Sequence, residues 1–403
     1  MLNQKVLLIS QVFYPDEVAV ANLFTNLCSV LVNQNGLDID VWCAQPSYTI
    51  RERQPKKKIY NGINIYYLIS TNFPKDKKLG RLINFITFSS SVFFRLIFSG
   101  KEEIVISHTT PPFLAIIIGC ICGIKKRRFI YVMLDIFPDG LLRLKMVSKH
   151  NPFVIIWKRW HLRTLKRCYK IVVIGRDMMD WVKSIFPEGS EKIHFIPLWQ
   201  DDELIKPIEF KDNPFVERNN LRDNFIVQYS GNMGLWNEMR TLGLAVNRNP
   251  VNVKFVFIGG GMRQQELLKS FDEQNPSNVL LLPFRSNAEY AYSVSACHVA
   301  LVSFRKGLEG IAVPSKIIGI MASSIPVIAL VPDQSEIAYI VREEKCGYVV
   351  DPGDVDGLIK AIEELKSDNN LRQSMGKRGR EAFERKYTTR IISEKYRALI
   401  TGQ

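Results

Sequence analysis

The sequence predicts an α/β protein of two consecutive doubly wound domains, each a mostly parallel sheet covered by helices. Three observations predict it. Short apolar runs of strand length alternate with longer amphipathic stretches, the pattern of parallel strands buried on both faces. That rhythm breaks once, between 199 and 222, and then restarts. The chain has 403 residues, more than one ordinary core takes and enough for two.

The elements follow in order. In the first half, β-branched and leucine-rich runs mark strands at 6–10, 39–43, 63–69, 104–107, 129–134, 171–174 and 194–196. Helical spacing of apolar residues places helices between them at 17–33, 81–98, 112–123, 154–168 and 176–186. The Asp-, Glu-, Asn- and Pro-rich segment 201–222 reads as a linker between a domain at 1–200 and one at 223–385. Strands then recur at 225–229, 253–258, 279–282, 299–302, 327–330 and 347–350. Helices are expected at 238–247, 262–271, 287–295, 314–322, 336–341, 355–365 and 371–385. A last helix, within 386–403, is expected to pack back on the first domain. Two such domains would hold ligands at the carboxyl ends of their strands, facing a central cleft.

Composition narrows the function classes. Apolar residues make up 46% and charged residues 23%, as in ordinary globular proteins. The net charge of +14 lies wholly in residues 1–200, with 28 Lys and Arg against 14 Asp and Glu; the remainder is balanced at 26 of each. The first half therefore suits an anionic partner: a membrane surface, nucleic acid or a polyanionic substrate. Seven cysteines without CxxC spacing argue against a disulfide framework or a zinc site and fit a reducing compartment. The first ten residues read as a strand, not a signal peptide. The longest apolar run, 111–124, is shorter than the roughly 20 residues that span a bilayer, so no transmembrane helix is expected.

The strongest chemical signal runs from Gly307 to Lys316. Glycines and small residues lead from a strand into a helix, with Pro314 suited to the first helical position. A helix start there offers backbone N–H groups and a positive dipole to an anion, and Lys316 can reach the same anion. A second glycine turn, Tyr229-Ser-Gly-Asn-Met-Gly234, follows the first strand of the second domain and brings Gly231 and Asn232 to its carboxyl end. It lacks a full GxGxxG and any GK[ST]. Gly259-Gly260-Gly261 follows the next strand, where tight packing explains it as well as ligand contact. In the first domain, Asp135 ends a strand, where catalytic groups of open sheets collect. His108 follows another strand and could line the same cleft, though a lone histidine is often structural. Lys75, Lys77, Lys78 and Arg81 precede a Phe-rich helix, and Lys125-Lys-Arg-Arg128 follows the next. Basic clusters beside apolar helices suit an anionic bilayer, or are solvated flanks of core helices. No nucleic-acid-binding module accompanies them.

Together these pieces resemble the family 4 retaining glycosyltransferases of the two-Rossmann-domain GT-B architecture. The resemblance begins at Leu8-Ile-Ser-Gln-Val-Phe-Tyr-Pro-Asp-Glu17 with Ala21-Asn22. It continues through Leu134-Asp-Ile-Phe-Pro-Asp139, Lys192-Ile-His-Phe-Ile-Pro-Leu-Trp199, Ser230-Gly-Asn-Met-Gly234 and Phe257-Ile-Gly-Gly-Gly261. It ends with Val279-Leu-Leu-Leu-Pro-Phe-Arg285, the run Val313 to Val327, and Gly347-Tyr-Val-Val-Asp-Pro-Gly-Asp354. The Val-Pro-Ser-Lys form is similar to the subgroup that builds bacterial O-antigens and capsules, some members of which transfer N-acetyl-fucosamine.

The resemblance implies a nucleotide-sugar donor, UDP in the first instance, in the C-terminal domain and an acceptor in the N-terminal domain. By match to the family's motifs, Pro314, Ser315 and Lys316 would meet the diphosphate. Phe284 and Arg285 would frame the base, and Gly231 and Asn232 would lie near the phosphates. Asp135 falls where many members carry a cleft residue beside the reacting sugar. Asp16, Glu17, Asn22 and His108 fall on the acceptor side. No metal or other cofactor is implied. The implied acceptor is an undecaprenyl-diphosphate-linked sugar at the inner face of the membrane, with the basic domain on the anionic surface and no nucleic acid as partner. There are departures. Ile311 and Gly319 stand where two glutamates are usual, the second a ribose contact, and Glu309 is a candidate substitute for the first. The basic pair after the Gly-Asn turn is missing unless Arg240 serves. Alternatives are a nucleotide-sugar epimerase of the same fold, or a non-catalytic basic protein that binds membranes or nucleic acid.

Overall fold

The computed structural model describes residues 5–46, 52–73, 78–100, 103–248, 250–273 and 276–402. The chain divides into two compact units: residues 1–197 with 389–403, and residues 198–388.

The first unit contains β1 (Lys5–Ile9), α1 (Ala19–Asn33), β2 (Asp38–Cys43), β3 (Lys57–Tyr60), β4 (Ile63–Tyr67), α2 (Lys78–Phe98), β5 (Ile104–His108) and α3 (Leu114–Ile124). It continues with β6 (Arg128–Met133), α4 (Asp139–Arg143), α5 (Pro152–Arg167), β7 (Lys170–Val173), α6 (Arg176–Ile185) and β8 (Ile193–Phe195). The strands form one sheet in the order β3-β4-β2-β1-β5-β6-β7-β8. All neighbours are parallel except β3, which pairs antiparallel with β4. β1 is therefore the strand at which the order reverses, and the carboxyl ends of β1 and β5 meet at a switch point. The edge strand β3, Lys-Lys-Ile-Tyr, was hidden by its charge. Such residues protect an edge from further pairing.

Helix ends follow local chemistry. Asn151 caps α5, accepting from Phe153 N at 2.9 Å, with Pro152 at the first position. α5 buries Val154, Trp157, His161, Thr164 and Leu165. Within α2 the 20 residues Leu79–Phe98 are long and apolar enough to cross a bilayer by length and composition. Its Phe88, Val92 and Leu96 are fully buried, whereas Leu79, Leu82, Ile86, Phe94 and Phe98 are exposed.

The second unit contains α7 (Pro214–Arg218), β9 (Phe225–Ser230), α8 (Arg240–Asn247), β10 (Val253–Ile258), α9 (Gln264–Leu268), β11 (Val279–Leu282), α10 (Asn287–Val294) and β12 (Val299–Ser303). It continues with α11 (Lys316–Ala322), β13 (Val327–Leu330), α12 (Glu336–Glu344), β14 (Gly347–Val350), α13 (Val355–Ser367) and α14 (Asn369–Lys386). Its sheet is wholly parallel, in the order β11-β10-β9-β12-β13-β14. Tyr229, Phe255, Phe257, Val299 and Leu301 pack into its core with Leu242 and Leu358. Ser335, Asp354 and Asp368 cap α12, α13 and α14 through backbone amides three residues on.

Segment 201–222 is not a free linker but part of this unit. Ile205, Phe215, Val216 and Leu221 are fully buried. Asn213 accepts from Phe215 N and donates to Tyr292 O at 2.8 Å. Four well-spaced apolar anchors hold a stretch whose polar composition suggested otherwise. The last helix, α15 (Thr389–Thr401), lies in the first unit and packs on α1.

Candidate active site

Three loops converge at the carboxyl ends of β9, β10 and β11. Gly231 N donates to Ile258 O, and Gly259 N to Leu282 O, both at 2.8 Å; Met233 N donates to Gly260 O at the same distance. The approach is close because glycine permits it. Gly259 has φ +119°, and a Cβ there would lie 2.3 Å from Gly231 O. The glycine triplet thus locks one loop onto another. Asn237 ties the assembly across the switch point of this sheet, accepting from Gly234 N at 2.8 Å and donating to Ser303 O at 3.0 Å.

Lys316 enters this cluster from α11. A Cβ on Gly231 would lie 3.4 Å from Lys316 Cε. Lys316 Nζ sits 3.4 Å from the centre of the Tyr229 ring, whose hydroxyl donates to Asn232 O at 2.9 Å. The lysine is half-buried as a residue, but Nζ itself is enclosed and has no hydrogen-bond partner among the described residues. Burial holds its pKa well below the usual lysine range. A ring face compensates an ammonium only in part. Lys316 is thus an amine held without a counter-charge beside exposed loop residues.

Helix α11 begins at Lys316, so Ser315 is its cap and Pro314 precedes the cap, two positions before the first helical residue it was expected to be. Ser315 is exposed and its side chain makes no capping bond. Asn232 is exposed as well. The Phe284 ring is 60% exposed and lies over the glycine loop: a Cβ on Gly259 would be 3.1 Å from Phe284 Cε1. Arg285 turns away toward Phe215, 5.3 Å from its ring centre, with Nη1 3.9 Å from Glu289.

The departures from the expected pattern have physical explanations. Ile311 is fully buried. Glu309 accepts from Gly307 N at 3.0 Å, within its own loop. A side chain on Gly319 would place its Cβ 2.5 Å from Tyr290 Oη and 3.5 Å from Ile205 Cδ1. The phenol thus occupies the space a glutamate would need. Arg240 is exposed at the first turn of α8. Two arginines lie against these loops through their backbones: Arg263 N donates to Met233 O and Arg305 N to Trp236 O, while the Arg263 guanidinium pairs with Glu266. Burial and the neighbouring Arg263 charge lower the pKa of Arg305. Tyr229, Asn237, Tyr290, Arg263 and Arg305 are the residues sequence reasoning missed. Only Tyr229, at a strand end, carried a local signal.

In the first unit, His108 is fully buried at the switch point, stacked on Phe24 at 5.0 Å. Ser10 Oγ donates to Val12 O at 2.6 Å, so it accepts from His108 Nε2 at 2.8 Å. Nδ1 in turn accepts from Thr110 N at 3.3 Å. Both ring nitrogens are satisfied in the neutral form, and burial pushes its pKa down to about 3. His108 is a core residue that staples β1 to β5 and does not face the acceptor side. Asp135 is half-buried just beyond β6, its backbone N donating to Thr109 Oγ1 at 3.4 Å. Asp16 is buried, Glu17 exposed and Asn22 half-buried on α1.

The basic clusters divide. Lys75 and Lys77 lie outside the described residues, as does the side chain of Lys78. Lys125 Nζ donates to Ile97 O and, at 2.7 Å, to Ser99 O; Arg127 donates to Ser99 Oγ at 3.0 Å. These two cations close the C-terminus of α2 and are not a free basic patch.

Comparison with known proteins agrees with this arrangement. Residues 211–382 match the family described as "Glycosyl transferases group 1". The chain is 25% identical over 304 residues, 74% of each chain, to "Probable glycosyltransferase WbjE" of Pseudomonas aeruginosa. It is 27% identical over 186 residues, 44% of this chain and 46% of the relative, to "Capsular polysaccharide biosynthesis glycosyltransferase CapM" of Staphylococcus aureus. Among solved structures, sucrose-phosphate synthase from Thermosynechococcus elongatus superposes with a TM-score of 0.76 at 17% identity, over 99% of this chain and 100% of that one. Anabaena Alr3699/HepE, in complex with UDP and glucose, superposes with a TM-score of 0.73 at 15% identity over the same shares. The chain is therefore a glycosyltransferase of the GT-B fold, and residues 211–382 of its second unit match the glycosyl transferases group 1 model.

Proposed function

We infer that this enzyme is a retaining transferase that uses a UDP-sugar donor, its diphosphate held against Lys316. The transferred sugar in this reading is an N-acetylated amino sugar such as N-acetyl-L-fucosamine. The acceptor is a lipid-diphosphate-linked sugar, and the product feeds bacterial O-antigen or capsule assembly at the cytoplasmic face of the membrane. The observation that carries the reading is the enclosed, unpartnered Lys316 Nζ beside the Gly231 turn. UDP in the Anabaena neighbour and the names of the polysaccharide relatives support it.

The chemistry follows from charge. As the sugar–phosphate bond breaks, the sugar gains oxocarbenium character and the diphosphate gains negative charge. Lys316 is preorganised to meet that charge at the start of α11, and the reading requires no metal. The exposed Phe284 ring offers a face on which the base can stack. Asp135 is assigned to the reacting sugar and Asp16, Glu17 and Asn22 to the acceptor side. A thermal-shift panel of UDP-, GDP-, dTDP- and CMP-sugars tests the donor, because a bound ligand raises apparent stability by mass action. Stabilisation by UDP-sugars is expected; stabilisation by another nucleotide and not by UDP overturns the donor assignment.

A further inference from the structure

Residues 140–176 contain ten Lys and Arg and not one Asp or Glu. They include α5, one of the helices that right-handed crossovers place on the same face of the first sheet, where α2 packs on α3 and α3 on α5. The inward side of α5 is a core surface: the Trp157 ring lies 4.4 Å from Phe113 and 6.2 Å from Phe137, in the segment that carries Asp135. The outward side is apolar and cationic at once. Ile155, Ile156 and Trp160 are 38%, 52% and 48% exposed, and Phe153 at the helix start is 58% exposed. Arg159 and Arg163 interleave with them, exposed and without an ion-pair partner among the described residues. The loop before the helix adds exposed Lys145, Met146 and Lys149.

We propose that α5 and the loop before it, rather than the 125–128 cluster, are the element by which this enzyme docks on an anionic bilayer. The inference rests on the lipid-linked acceptor of the proposed function. Charge selects the occupant. A second copy would oppose cation to cation, and a polar polyanion leaves Ile155, Ile156 and Trp160 without a partner. A bilayer surface supplies both anionic headgroups and an apolar boundary. Because Trp157 packs against Phe137, docking on α5 would bring a membrane-embedded acceptor to the carboxyl edge of this unit, beside Asp135.

Co-sedimentation of the full chain with phosphatidylcholine vesicles, with and without phosphatidylglycerol, tests this. Each cation near an anionic surface is worth about fivefold in partitioning. Arg159→Glu with Arg163→Glu should therefore lower binding to phosphatidylglycerol vesicles by roughly a hundredfold or more. Lys360→Glu with Lys377→Glu, the same charge change on the second unit, should leave it near normal. Ile156→Ser with Trp160→Ser should weaken binding at high salt as well. Should these variants fold poorly, hydrogen exchange of the unmodified chain decides: residues 145–163 should gain protection on anionic vesicles. Wild-type binding by the α5 variants, unchanged exchange there, or binding of an RNA oligomer in place of vesicles overturns the proposal. UDP-sugar affinity, measured without vesicles, reports separately on the donor reading.

Discussion

Gly259→Ala perturbs the candidate site through its backbone, at the Gly231 turn and beneath the Phe284 ring. Two costs can be worked out. Gly259 has φ +119°, where an L-residue pays about 1–2 kcal/mol. Its new Cβ would lie 2.3 Å from Gly231 O and 3.1 Å from Phe284 Cε1, so backbone must move, at about 1–3 kcal/mol. The second unit should lose about 2–5 kcal/mol in all. Gly307→Ala is the control: φ is +83°, but nothing lies within 4 Å of a Cβ there, so only the backbone cost of about 1–2 kcal/mol applies. The displaced Gly231 turn also moves the contact on Lys316, so UDP should bind at least about tenfold more weakly to Gly259→Ala, a loss of about 1.4 kcal/mol. Urea unfolding and calorimetric titration measure the two effects. Equal stability of the two variants, with wild-type UDP affinity, would refute the reasoning.

Other expectations follow from single contacts. Lys316→Ala removes the group that meets the leaving diphosphate and should lower turnover by about 10²–10³-fold, while leaving thermal stability unchanged or higher, since a buried polar atom without a hydrogen-bond partner is lost. His108 is neutral when folded, with a pKa near 3 against an ordinary 6.5, so the unfolded chain binds the extra proton. Its contribution is intact above pH 6.5 and is lost as pH falls toward 3, reaching about 2 kcal/mol near pH 5. His108→Gln should flatten that part of the acid stability profile, and an unchanged slope counts against it. Gly319→Glu should destabilise the second unit because Tyr290 Oη would lie 2.5 Å from the new Cβ, and Tyr290→Ala in the same chain should recover much of the loss. No recovery in the double variant would mean the clash lies elsewhere.

Most of the architecture was legible because buried parallel strands are continuous apolar runs. Ile104–His108 and Val253–Ile258 announce themselves. The strand β3 did not, because its lysines protect a sheet edge, and 201–222 did not, because four anchors among polar residues carry no period. At the site, the glycine turns and Lys316 were visible as strand-to-helix junctions. Tyr290 and Asn237 were not: Tyr290 reaches Gly319 from a separate helix, and nothing in the local run marks Asn237 as the tie to Ser303 O. Lys125 and Arg127 show the converse: a conspicuous basic cluster turned out to close the end of a helix. His108 looked like a cleft residue because strand ends usually face ligands, but its two ring nitrogens are both spent on the core.

The central claim is that Lys316 awaits a diphosphate. Burial depresses its pKa in the free enzyme, and an arriving anion must raise it again. Titration of UDP into the enzyme at alkaline pH, in buffers of different ionisation enthalpy, should therefore show net proton uptake that disappears in Lys316→Met together with most of the affinity. Binding of equal strength and equal proton linkage in wild type and Lys316→Met would contradict it.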